Sequence, residues 1–257
     1  MQNNFSILVN TTDSFNDCWA PFFKLFKKYW PEYCGKVYLN TETKDFKYDG
    51  LNIIPIKNKL VGESWGKCLK YALNFIEDDI ILYLQDDYFL NGTVQNKIVE
   101  YYVTEMGENS IDCVHLTPFA SKGPFEKSEY TGLLKYSKKS EYKIGTQASI
   151  WRKEFMKKYL REHENAWHFE VFGTKRAWRH NEEIYLYDFN KHSKEIIPYT
   201  PTGIVKGKWK KDAVFELFAE NEINIDYSLR GFYDYTKHKY KTPFSLKKIV
   251  DRIKSAL

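Results

Sequence analysis

What most constrains the fold of this chain is a regular alternation in its first 120 residues. Short apolar runs are followed by segments whose apolar residues recur every three or four positions. Phe5-Ser-Ile-Leu-Val-Asn10 reads as a buried strand, and Asp17 to Tyr29 then carries Trp19, Phe22, Phe23, Phe26 and Tyr29 on one helical face. Lys36–Asn40 and Leu51–Ile56 read as two further strands. A helix starts at Ser64, a plausible N-cap, and Asp79–Leu84 is the most distinct strand of all. Continuous apolar strands of this length belong to sheets covered on both faces, and strands alternating with helices build βαβ units. The expected fold class is therefore α/β, a mostly parallel sheet flanked by helices. Val94 to Met106 reads as helix and Asp112–Thr117 as strand. A polar loop follows from about Phe119 to Lys139, long enough to suggest a mobile or acceptor-facing segment. Tyr142–Trp151 reads as strand, and Arg152–His163, Ala166–Trp178 and Asp212–Glu220 as helices. No repeat or low-complexity linker divides the chain. One domain over 1–240 is expected, in two halves of about 1–118 and 119–240, followed by a basic amphipathic helix over 241–257.

Composition narrows the function classes. The 39 basic and 34 acidic residues are interspersed and leave a net charge of +5, without the concentrated basic stripe of a nucleic-acid binder. That charge suits a phosphate-bearing substrate or an anionic membrane surface. Aromatic residues make up 18% of the chain, a share that supplies core volume and rings able to stack on bases or sugars. Cys18, Cys34, Cys68 and Cys113 form no C-x-x-C pair, and no apolar run is long enough to cross a bilayer. The expectation is a cytoplasmic protein with reduced thiols.

The sharpest local feature is Ile80-Ile-Leu-Tyr-Leu-Gln-Asp-Asp-Tyr-Phe-Leu90, two adjacent acids enclosed by apolar residues. In an open α/β sheet, ligands bind at the carboxyl ends of the strands. Two carboxylates buried there need a cation or hydrogen-bond donors. Mg²⁺ or Mn²⁺ held by them together with a diphosphate meets that need, and a solvated acidic turn is the competing reading.

The element order and this acidic pair resemble the GT-A glycosyltransferases, in which an Asp-x-Asp-type signature at this point holds a metal and a nucleotide-sugar. More narrowly, five segments look like a bacterial group from surface-polysaccharide gene clusters. They are Trp19-Ala-Pro-Phe-Phe23 with Lys28-Tyr-Trp-Pro31, Ser64-Trp65, Leu84–Leu90, Gln147-Ala-Ser-Ile-Trp151 and Trp167-His-Phe-Glu170. The resemblance spans about residues 5 to 230. It implies that Asp87 is the metal ligand, while Asp86 faces the sugar or ribose or shares the metal. Gln85 replaces the leading acid of the signature, a departure that removes one carboxylate. Asn10, Thr11 and Asp13 match the loop that contacts base and ribose. Glu170 lies where inverting members carry the general base, the group that takes the acceptor hydroxyl's proton. Its neighbours Trp167 and His168 could form a platform for a sugar ring.

Other candidates come from the residues themselves. Gln147 and Ser149 alternate on one strand face, placed to hydrogen-bond a sugar or to serve the sheet. Lys206-Gly-Lys208 suits a loop closing over a diphosphate, and Arg230 is a comparable cation. His115, alone on a strand, reads as a core histidine. The tail carries Leu246, Ile249, Val250 and Ile253 on one side of a basic helix, which could rest on a membrane near a lipid-linked acceptor or pack on the domain. The expected function is transfer of a sugar from a nucleotide donor, UDP by expectation, to a hydroxyl of a bacterial surface glycan. A sugar nucleotidyltransferase is the second reading. It normally carries a Gly-rich basic loop after its first strand, which Asn10–Asp13 lacks. A non-catalytic glycan-binding scaffold is the third.

Overall fold

The computed structural model describes residues 5–191, 194–237 and 246–256. Its centre is a nine-stranded mixed sheet in the order β3-β2-β1-β4-β8-β5-β9-β7-β6. These strands are β1 (Ser6–Asn10), β2 (Lys36–Asn40), β3 (Asn52–Pro55), β4 (Ile80–Gln85), β5 (Cys113–His115), β6 (Phe125–Lys127), β7 (Leu133–Tyr136), β8 (Ser149–Arg152) and β9 (Ile184–Tyr187). Strands β3, β2, β1 and β4 are mutually parallel, whereas β8 runs antiparallel between β4 and β5.

Alternate side chains of each strand feed two cores, as the two-residue period of a strand requires. Ile7, Val9, Leu82 and Leu84 join one core with α1 (Asn16–Tyr29), α3 (Asn96–Glu108) and, through Val214 and Phe218, a later helix over Lys211–Glu220. Leu8, Ile81 and Tyr83 join the other with α2 (Trp65–Phe75) and α4 (Lys153–Tyr159). Both faces are covered, which is why these strands are apolar throughout. Ser64 caps α2 as expected, its hydroxyl accepting from the Lys67 amide at 3.4 Å.

The α/β sheet flanked by helices that the sequence and its GT-A resemblance imply is present, with three local differences. The expected polar loop over 119–139 instead contains β6 and β7, an antiparallel pair that extends the sheet beyond β9. The strand expected over Tyr142–Trp151 is reduced to β8. The residues before it turn away to bond the helical region opposite: the Ile144 amide donates to the Thr174 hydroxyl at 3.0 Å and the Thr146 amide to the Glu170 carboxylate at 2.9 Å. The helix expected over Ala166–Trp178 is α5 (Ala166–His168), a π-turn over Phe169–Gly173 and α6 (Thr174–Ala177).

A two-stranded hairpin, β10 (Ile204–Val205) and β11 (Lys208–Trp209), precedes α7 (Lys211–Glu220), and α8 (Leu246–Ala256) follows. Of the tail expected over 241–257, residues 241–245 and 257 lie outside the described residues, as do the side chains of Leu246 and Ile249. The far end of α8 rests on the domain: buried Ser255 meets the His163 ring at 2.9 Å, and its carbonyl accepts from Arg176 at 3.0 Å. No helix among the described residues is long and apolar enough to cross a membrane.

Candidate active site

Three neighbouring parallel strands each end in a carboxamide. Asn10 of β1 stands in register with Asn40 of β2 on one side and Gln85 of β4 on the other. Beyond Gln85 the chain turns at Asp86-Asp87 and opens a cleft of about 480 Å³ at the carboxyl edge of the sheet. Asn10, Thr11, Phe15, Trp65, Gln85, Asp86, Asp87, Gln147, Thr202 and Lys206 line it, among others.

Both aspartates are buried, 5% and 8% exposed. The Asp86 carboxylate accepts a short hydrogen bond from the Thr11 hydroxyl, whose oxygen in turn accepts from the Trp19 indole at 2.8 Å. Asp87 accepts from the Thr202 hydroxyl at 2.7 Å and from the Ile204 amide at 3.4 Å. Burial pushes the Asp86 carboxyl well above the usual carboxylate range, and the adjacent Asp87 charge pushes the same way. Asp87 is also raised by burial, with Thr202 and the Ile204 amide opposing. Two like charges in a low-dielectric floor, each with one or two neutral donors, remain under-compensated.

Asp87 is held by backbone as well as side chain. Its carbonyl accepts from the Gly203 amide at 2.9 Å, and Phe89 O accepts from Thr200 N at 3.0 Å, so 199–204 runs as a strap along 87–90. Gly203 is required there, because a Cβ would meet the Phe89 ring at 2.3 Å. The strap leads into the β10–β11 hairpin. Its two turn residues, Lys206 and Gly207, both have positive φ, the twist that favours tight two-residue hairpins. Lys206 is thereby set on the cleft wall.

On the β8 side an amide and phenol network is fully oriented. Gln85 donates to the Tyr88 hydroxyl at 2.9 Å and to the Thr146 carbonyl at 3.2 Å. Gln147 donates to Tyr88 at 3.0 Å and accepts from Tyr199 at 2.9 Å, and the two tyrosine rings stack at 4.9 Å. Directly behind Thr146 lies Glu170, whose Oε1 accepts from the Thr146 amide and, at 2.6 Å, from its hydroxyl. Burial raises the Glu170 carboxyl, and the Thr146 bonds oppose that shift.

No family model matches the chain, and no curated protein matches it. Among solved structures it is similar to S. aureus TarS 1-349 in complex with UDP-GlcNAc, at 15% identity and a TM-score of 0.48, over 90% of this chain and 69% of that one. Against the longer S. aureus TarS the figures are 14% and 0.49, and this chain spans 41% of that length. It is also similar to glucosyl-3-phosphoglycerate synthase from Mycobacterium tuberculosis in complex with Mn²⁺ and UDP-glucose, at 12% and 0.42, over 90% and 80% of the two chains. At such identities the likeness concerns the path of the backbone, and the chemistry of the cleft is read from its own side chains.

The cleft thus gathers Asn10, Thr11, Asp86, Asp87, Gln147 and Lys206 from the sequence candidates, with Glu170 one residue layer behind. Others are placed elsewhere. The Asp13 carboxylate is filled by the amides of Glu42, Thr43 and Lys44 at 2.9–3.0 Å and by the Thr43 hydroxyl, so it clamps the loop after β2. Ser149 is fully buried between His115 and the Gln147 carbonyl, a sheet role. Trp167 is 49% exposed and lies tilted against the His168 ring at 5.4 Å, and burial lowers the His168 pKa with Glu164 and Asp251 of α8 opposing; neither residue lines the cleft. Lys208 projects from β11 without lining it. Arg230 stands behind the wall, paired with Asp17 and laid over the Phe15 ring at 4.5 Å. Sequence reasoning missed Thr202, which caps Asp87 from 115 residues away. It noted Trp65 in a motif and on the packed face of a helix, without a role in the site. Trp65 lines the cleft, and its indole nitrogen is buried with no partner among the described residues.

Proposed function

We propose that this protein is a glycosyltransferase that takes its sugar from a nucleoside diphosphate and uses Mn²⁺ or Mg²⁺ held by Asp86 and Asp87. The observation that carries this reading is the pair itself: two buried, under-compensated carboxylates on the floor of a polar cleft at the carboxyl end of the central strand. The donor set fits a hard cation. It consists of the carboxylate oxygens of two adjacent residues, and because no third His, Cys, Asp or Glu joins them among the described residues, a bound ion would need further ligands from the substrate. Asp86 and Asp87 would hold such an ion together with the diphosphate of the donor. When bound, the cation neutralises charge on the departing diphosphate.

We read the orientation of the donor from the strand order. The Asp pair follows β4, with Asn10, Thr12 and Phe15 on the β1 side and Gln147 and Glu170 on the β8 side. The nucleoside extends over β1 and the sugar over β8, with Lys206 beside the diphosphate. Glu170 takes the proton of the acceptor hydroxyl as its oxygen bonds the anomeric carbon. The bond from that carbon to the diphosphate oxygen breaks on the opposite face, so the transfer inverts. The acceptor we propose is a hydroxyl of a growing bacterial surface glycan, such as capsule or O-antigen, carried on a lipid at the cytoplasmic face of the membrane. On α8, Val250 and Ile253 are 47% and 56% exposed beside exposed Arg252 and Lys254, a composition suited to peripheral membrane contact.

The test is a transfer or donor-hydrolysis assay with UDP-sugars and Mn²⁺. Asp87→Ala and Glu170→Gln are each expected to lower turnover by about 10²-fold or more. Full activity in both variants overturns the assignment.

A further inference from the structure

The cleft carries a polarity that originates outside it. Asn58, Asn40 and Asn10 form a chain of buried carboxamides, 4%, 1% and 8% exposed, running from the loop after β3 to the end of β1. Its origin is the backbone amide of Leu60, which can only donate, and which bonds Asn58 Oδ1 at 2.8 Å. Asn58 must therefore present Nδ2 at its other end, and this donates to Asn40 Oδ1 at 3.0 Å. Asn40 Nδ2 donates in turn to Asn10 Oδ1 at 2.8 Å. Each link has one permitted sense. Reversing a single amide brings oxygen against oxygen, or NH₂ against NH₂, and leaves buried groups unsatisfied. The backbones are fixed as well: Asn10 and Asn40 are register partners, and the Asn58 amide donates to Thr41 O at 3.0 Å.

With its oxygen committed to Asn40, Asn10 presents only N–H groups at its other end, toward the buried Tyr83 hydroxyl and the cleft that it lines. We infer that Asn10 reads an acceptor oxygen of the nucleobase, a pyrimidine keto group, and that Asn40 and Asn58 are positioning residues that set the direction of this contact without touching ligand. The inference rests on the proposed nucleotide-sugar reading, which lays the nucleoside over β1. Uracil offers a keto oxygen at C4 where cytosine offers an amino group, so a donor-only amide separates the two. A site built to hydrogen-bond one group discriminates strongly against its opposite, because the mismatch leaves buried polar atoms unpaired.

The relay makes an unusual prediction for variants remote from the ligand. In Asn58→Asp both side-chain oxygens accept. Leu60 N–H keeps its partner, Asn40 must rotate to donate toward position 58, and Asn10 must then rotate to donate to Asn40. The oxygen of Asn10 now faces the cleft. Asn40→Asp forces the same rotation of Asn10 while leaving Asn58 in place, and serves if a carboxylate at position 58 prevents folding. Titration calorimetry with UDP and CDP in the presence of Mn²⁺ tests this on the full chain, since both ligands carry the same diphosphate and their ratio isolates the base. The wild-type protein is expected to prefer UDP by about tenfold or more, and either folded variant to lose or reverse that preference. Equal wild-type affinities, or a folded variant that keeps the wild-type ratio, would overturn the relay while leaving the transferase reading standing. A wild-type protein that binds neither nucleotide would remove that reading, and the relay with it.

Discussion

His115 illustrates how a residue with catalytic chemistry is used for structure. It is 3% exposed, its Nε2 faces the Lys143 carbonyl at 3.1 Å and its Nδ1 the Ser149 hydroxyl at 3.1 Å. A carbonyl only accepts, so Nε2 carries a proton, and burial disfavours a second one on Nδ1. Burial lowers its pKa from 6.5 to about 4. The sign of the linkage follows: with the folded value below the unfolded one, this group's contribution is fully present above pH 6.5. It is lost as pH falls toward about 4, because the unfolded chain takes up the proton first. That amounts to about 3 kcal/mol across the window. Urea unfolding at several pH values should therefore show a steeper acid loss in the wild type than in His115→Gln, and parallel curves would contradict the assignment. The reading of His115 as a core histidine holds, whereas residue types alone did not separate Asp86 from Asp13. Asp86 was legible because an acid follows an apolar strand directly. Asp13 looked similar in sequence, yet three amides from the loop after β2 consume its carboxylate, a contact set by tertiary structure.

At the level of elements, the site depends on a strand turn and a remote strap meeting along their backbones. Gly203 sits where they touch, 3.2 Å from the Asp87 carbonyl and 2.3 Å from the Phe89 ring as measured from a Cβ built on it. Gly203→Ala should cost about 1–3 kcal/mol in thermal or denaturant unfolding, the range for overpacking. It should also weaken nucleotide binding, because Asp87 shifts with the strap. An unchanged unfolding midpoint would show that the strap yields freely. The parallel half of the sheet was readable for a physical reason. Strands β1, β2 and β4 are covered on both faces and must be apolar throughout, and α1 shows its buried stripe directly. The second half was less readable. Strand β6 carries Glu126 and Lys127 at a sheet edge, a charge pattern that guards edges and also masks strand periodicity. The residues before β8 satisfy their amides on Thr174 and Glu170, so an alternating pattern there ended in loop. The carboxamides closing β1, β2 and β4 were visible in the sequence. That they lie side by side follows from strand register, which one sequence does not state.

For the molecule as a whole, α8 is held on the domain through a buried ion pair. Arg176 grips Glu164 at 2.8 Å, with side chains 11% and 0% exposed, and also bonds the carbonyl of Ser255 at the end of α8. This anchor holds the basic helix with Val250 and Ile253 outward. Co-sedimentation with anionic vesicles should recover the protein, neutral vesicles should not, and Ile253→Asp should reduce recovery severalfold, with added salt weakening it further. Equal recovery on both lipids would remove the membrane role and leave the cleft untouched. Everything proposed for the cleft requires that Asp86 and Asp87 share a cation with a nucleotide diphosphate. Calorimetric titration of UDP with and without Mn²⁺, in wild type and Asp87→Ala, addresses that requirement most directly. The account predicts binding that needs the metal and is lost in the variant. Metal-independent UDP binding of equal strength in both proteins would contradict it.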